Sequence, residues 1–127
     1  MQVALKYVVM LFGAVCIVIG MTHVIFGPSS IPGSVPVNAT MDSEDRFYAT
    51  LFVGFGAALI WCAKALGERG RAFFWLMVLF FCTGCARLVS MVQVGLPHPL
   101  FQFLTGVELL LPLILWFWYR RVFTPPG

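Results

Sequence analysis

Short polar breaks cut this chain into four apolar runs, 5–26, 45–65, 72–94 and 100–119, and that segmentation decides what it can fold into. A bilayer core of about 30 Å is crossed by about 20 residues of helix. Inside lipid a helix meets every backbone N–H and C=O within its own segment. Each run reaches that length, so the sequence predicts an all-α integral membrane protein, a four-helix bundle forming a single domain over residues 1–127. Composition agrees: 61% of residues are hydrophobic, 10% are charged and the mean hydropathy is +0.95, whereas soluble domains carry about 25% charged residues. The formal net charge of +3 carries no nucleic-acid signal, because lysines and arginines flank apolar runs and form no patch. Cys16, Cys62, Cys82 and Cys85 all fall within apolar runs, which excludes a disulfide scaffold built on loops.

Orientation follows from the basic residues. Lys6 stands at the start of the first run, Lys64, Arg69 and Arg71 surround the break between the second and third, and Arg120 and Arg121 close the fourth. The other side carries Asp42 and Glu44 in the 27–44 loop and neither Lys nor Arg in the 95–99 turn. The positive-inside rule places both termini in the cytoplasm. The first run is too long for the core of a signal peptide and no A-x-A-like cleavage site follows, so it is expected to stay as a helix. Trp61, Trp75, Trp116, Trp118 and Tyr119 lie toward the cytoplasmic end, where amphipathic rings anchor at an interface. Asn38-Ala39-Thr40 matches a glycosylation acceptor, set aside because nothing else indicates a secretory route. Asp42 to Asp45 read as the start of the second helix, a cap followed by acids that suit the positive end of its dipole.

The polar residues inside the runs are few and patterned. Gly13, Cys16, Gly20, His23 and Gly27 recur at intervals of three and four, a stripe that must face other helices and that carries His23 inward. In the second run Gly54, Gly56 and Ala57 mark tight packing, and Asp45 stands beside Arg46. Arg46 either snorkels to headgroups or turns in toward Asp45, His23 or Glu108. Gly84, Arg87 and Ser90 share one face of the third run, with Gln93 beyond. Arg87 lies roughly 12 Å before the turn and Glu108 roughly 13 Å after it at about 1.5 Å per residue, so the two reach one depth. A charge at mid-membrane costs about 2.5–3.5 kcal/mol, which favours pairing. Pro112 cannot donate to the carbonyl four residues back, and that carbonyl belongs to Glu108.

The expected binding residues are therefore His23, Arg46, Arg87, Ser90 and Glu108, with Asp45, Gly20, Gly27 and Pro112 in structural roles. A purely structural Arg87–Glu108 staple is the competing reading. The concentration of polar groups in the outer half of the spans favours an outward-facing polar pocket instead. Cys82 and Cys85 share a helix face, as in membrane thiol oxidoreductases of four-helix type, but in an apolar run a thiolate is disfavoured and packing is the expected role.

Several motifs together resemble a known family. They are Gly20-x-x-His23-x-x-x-Gly27, the segment Asp42 to Ala49 with Gly54-Phe55-Gly56, Gly84-x-Ala86-Arg87-Leu88-x-Ser90, Gly95-x-Pro97-x-Pro99 and Glu108 through Pro112. Over nearly the whole chain this set is similar to the small bacterial four-helix membrane family catalogued as domain of unknown function 4345. The resemblance implies four transmembrane helices in a bacterial inner membrane, and it brings no established activity.

Three functions compete. The preferred one is a non-enzymatic membrane protein, an accessory subunit or a binder of an amphiphile headgroup, with the lipid bilayer, a larger membrane complex or a second copy as partner and no nucleic acid. The second is a redox enzyme using Cys82 and Cys85 or a bound quinone near Arg87 and Glu108, quinone being the one cofactor considered. The third is a small proton-coupled exporter, disfavoured because its carboxylate would be Glu108, in the fourth helix and neutralised by Arg87. No metal cluster, phosphate loop or nucleophile–base pair is present in the sequence.

Overall fold

The computed structural model of the chain describes residues 1–123. The element order is α1 (Gln2–Phe26), a single 3-10 turn (Gly27–Ser30), α2 (Ala39–Ala63), α3 (Gly70–Gln93) and α4 (Pro99–Phe123). All four α-helices are long and apolar enough to cross a membrane.

Each helix begins before its run; α2 and α3 stop at Ala63 and Gln93, short of theirs, and α4 continues to Phe123. The largest difference is at α2, which starts at Ala39 rather than at 45. Its cap is Asn38, whose extended backbone (φ −78°, ψ 173°) lets Oδ1 accept from the Met41 N–H at 2.9 Å. Asp42 thus sits in the first turn instead of capping it. The Asn38 side chain is committed to this helix start. At the other end of the 27–44 region, Gly27 terminates α1 with φ 69°, a left-handed value that suits glycine, and Pro28 opens the 3-10 turn.

By compactness the chain divides into two units, Lys6–Lys64 and Met1–Leu5 with Ala65–Gly127. Within the first, the stripe on α1 is buried at Gly13, Cys16, Gly20 and Gly27 and does face another helix. A Cβ on Gly13 would stand 2.6 Å from the Gly56 carbonyl oxygen, and one on Gly56 would stand 2.5 Å from that of Gly13. The two backbones touch there, and neither position admits a larger residue. Gly20 gives the same clearance to Ala49 and Val53. Gly54 does not follow: nothing lies within 4 Å of its would-be Cβ, and Ala57 is exposed as well. Two residues along a helix turn about 200°, so Gly54 and Gly56 point apart and only one can face α1.

In the second unit α3 and α4 pack through Gly84, whose Cβ would meet Leu109 at 2.9 Å and the Glu108 Cβ at 3.1 Å. Near the α2–α3 connection the two helices enclose an aromatic cluster. Tyr119 stacks on Phe73 (5.3 Å) and Trp116 (5.2 Å), and its hydroxyl donates to the Leu66 carbonyl at 3.0 Å. Gly70 leaves room for that hydroxyl. Tyr119 is thus buried core rather than an interfacial anchor, because its phenol finds an acceptor inside the protein. Trp61 and Trp75 remain exposed as an interface belt requires.

Candidate functional site

The second unit holds the deepest charge. Glu108 sits on the face of α4 that also presents Thr105, Pro112 and Leu115 to the interior. Gly84 brings α3 close enough that Arg87, one turn further on, meets it. The Arg87 Nε donates to Glu108 Oε2 at 2.6 Å, with the carboxylate side chain 9% exposed and the guanidinium side chain 38% exposed. Phe101 covers the guanidinium at 5.5 Å from its ring centroid. The Arg87 terminal nitrogens have no hydrogen-bond acceptor among the described residues. α4 runs through Pro112 without interruption, and Pro112 is fully buried. Ser90 lies one turn beyond Arg87 and is exposed.

The first unit holds a second, denser cluster. Arg46 donates through Nε to Asp42 Oδ1 (2.7 Å) and through Nη2 to Asp42 Oδ2 (3.4 Å), and its Nη1 reaches the Val24 and Ile25 carbonyls (2.8 and 3.2 Å). Those carbonyls are among the last of α1, which have no partner inside their own helix. Arg46 therefore ties the end of α1 to the start of α2, a role the sequence reading did not foresee. Gly27 makes room for it: a Cβ there would lie 2.6 Å from Nη2 and 2.9 Å from Asp42 Oδ2. The His23 Nδ1 stands 3.4 Å from both Asp45 oxygens, longer than the 2.7–2.9 Å of a charge-assisted bond. The buried Oδ2 of Asp45 receives no well-formed hydrogen bond.

Thus Arg87 meets Glu108, His23 meets Asp45, and Arg46 takes Asp42 as its carboxylate. Asp42 and Phe101 were missed. Both were signalled: Asp42 is four residues before Arg46, and Phe101 is two turns before Glu108 on the same helix face. Cys82 and Cys85 are exposed thiols and do not pack within the protein, contrary to expectation, because the inward face of α3 at that level is taken by Phe80 and Gly84.

A family model described as "Domain of unknown function (DUF4345)" matches residues 4–119. The chain belongs to this family. The match runs from the first turn of α1 to Tyr119 and so includes both polar clusters. No curated protein and no solved structure matches.

Proposed function

We propose that this is a non-enzymatic, multi-pass protein of the bacterial inner membrane, with both termini cytoplasmic, that holds an amphiphile headgroup at an outward-facing polar centre, alone or as an accessory subunit of a larger membrane complex. The observation that carries the reading is the uneven exposure of the ion pair: Glu108 is 9% exposed while Arg87 is 38% exposed. A pair serving only as a staple repays the desolvation of its charges only when the remaining donors and acceptors are hydrogen-bonded as well. Here the carboxylate is anchored and the guanidinium is presented. Extensive apolar surface on all four helices, including Val89, Val92, Phe103 and Leu110, supplies the contact that an acyl chain needs.

The test is purification from native membranes in mild detergent followed by native mass spectrometry. A retained lipid-sized adduct or a stoichiometric partner is expected, and its occupancy should fall in Arg87→Lys. A chain that remains bare in several detergents counts against the reading.

A second reading draws on the exposed Cys82 and Cys85, which lie one turn apart on α3. Exposed thiols on one face suit a thiol-linked redox role better than buried ones. Its mark would be a mixed disulfide trapped between either cysteine and another protein.

A further inference from the structure

We infer that Arg87 is the oxyanion-binding residue of the polar centre, its two terminal nitrogens taking the carboxylate or phosphate oxygens of an anionic amphiphile. This rests on the headgroup reading above and narrows it, since a neutral quinone would not match.

Arg46 in α2 and Arg87 in α3 use their donors differently. Arg46 spends its donors inside the protein, forking Asp42 and reaching the carbonyls of Val24 and Ile25. Arg87 spends one, its Nε, on Glu108 Oε2 at 2.6 Å. A guanidinium carries five N–H donors in a rigid fork, so the edge formed by Nη1 and Nη2 is left without an acceptor among the described residues. Charged donors facing apolar surroundings are costly. An acceptor from outside the chain relieves that cost.

The guanidinium is held at its other end. Glu108, nearly enclosed, holds the Nε end, and Phe101 lies over the guanidinium at 5.5 Å. The ring flanks the guanidinium without competing as a strong acceptor. The two parallel donors of a guanidinium edge match a two-oxygen anion, whereas a quinone carbonyl presents a single oxygen. Glu108 lies on the Nε side, so it balances the guanidinium charge without occupying the edge formed by Nη1 and Nη2. The exposed Ser90, one turn on, adds a hydroxyl on the same helix, and exposed Val89 and Val92 provide surface for a tail.

The experiment compares binding of a nitroxide-labelled long-chain fatty acid with that of its methyl ester, using the full chain in a neutral detergent. The two probes share a tail and differ in the anionic group. The acid is expected to bind about tenfold or more tightly, the equivalent of one charged hydrogen-bonded contact. Arg87→Lys keeps the charge but has no paired edge, and the double variant Arg87→Gln with Glu108→Gln removes both charges while keeping a hydrogen-bonding pair. Both should bring the acid close to the ester, with ester binding unchanged as the control that the fold persists. Equal affinity of acid and ester in the unmodified protein overturns the oxyanion assignment and leaves the headgroup reading standing. Binding of neither probe overturns both. Inorganic phosphate then identifies the source: displacement of the acid by phosphate marks a free oxyanion as occupant, and failure to displace it marks a tail-bearing one. Either result requires Arg87.

Discussion

The two members of the Arg87–Glu108 pair are not equally dependent on each other. Breaking a buried pair by removing one partner costs about 3–5 kcal/mol, because the survivor is left uncompensated. Arg87→Ala strands Glu108, 9% exposed, whereas Glu108→Ala strands Arg87, 38% exposed and able to reach headgroup oxygens or water. Arg87→Ala should therefore lower the thermal midpoint in detergent by more than Glu108→Ala. The charge swap Arg87→Glu with Glu108→Arg should recover part of the loss, and mild, strictly additive single effects would show that the two do not interact. A second residue-scale prediction concerns Gly27. Gly27→Ala forces a side chain into φ 69° and toward the Arg46 Nη2, so a loss of about 1–3 kcal/mol is expected. Removing the arginine relieves the second strain but not the first. Gly27→Ala with Arg46→Ala should then be less damaging than the sum of the single changes, measured as a double-mutant cycle.

Helix pairing in this chain rests on close backbone approach at chosen glycines. Gly13→Ala or Gly56→Ala each places a methyl within about 2.5–2.6 Å of a carbonyl oxygen that cannot move independently of its helix. Overpacking of this kind costs about 1–3 kcal/mol. Gly54→Ala meets nothing within 4 Å and should be neutral or slightly stabilising, since alanine is the better helix former. Thermal unfolding of the three variants side by side checks the contrast. The sequence made the α1 stripe readable because its three-and-four spacing is a property of one helix. It could not separate Gly54 from Gly56, because that choice depends on the rotation of α2 against α1. The same limit explains Cys82 and Cys85. Shared spacing put both on one face of α3, but which face turns inward was settled by Gly84, and the thiols came out exposed. Their joint replacement by alanine should leave thermal stability near that of the parent protein.

At the scale of the molecule, the four long helices were legible because about 20 uninterrupted apolar residues have few other uses. The start of α2 was not, because Asn38 and Asp42 are both good caps and only the chain's path into the helix selects between them. The polar centres were half legible: the Arg87–Glu108 partnership follows from matched depth, whereas the Arg46 tie to the end of α1 needed the turn at Gly27 to be seen. Orientation in the membrane is a matter of charge flanking the helices. Lys64 and Arg71 are exposed on either side of the short α2–α3 connection, and Arg120 and Arg121 are exposed in the last turn of α4. The start of α2 carries Asp42 and Glu44, and no lysine or arginine lies between 27 and 44. Retaining lysine and arginine on the cytoplasmic side is the dominant determinant of topology for short connections such as these. Reporter fusions at Gly67 and at the C-terminus should therefore read cytoplasmic, and a fusion within 32–37 should read external. Changing Lys64 and Arg71 to glutamine removes two of the three basic residues around that connection, Arg69 being the third, and should give a mixed population at Gly67. An external reading at Gly67 in the unmodified protein would reverse the orientation and move the open edge of Arg87 to the cytoplasmic leaflet.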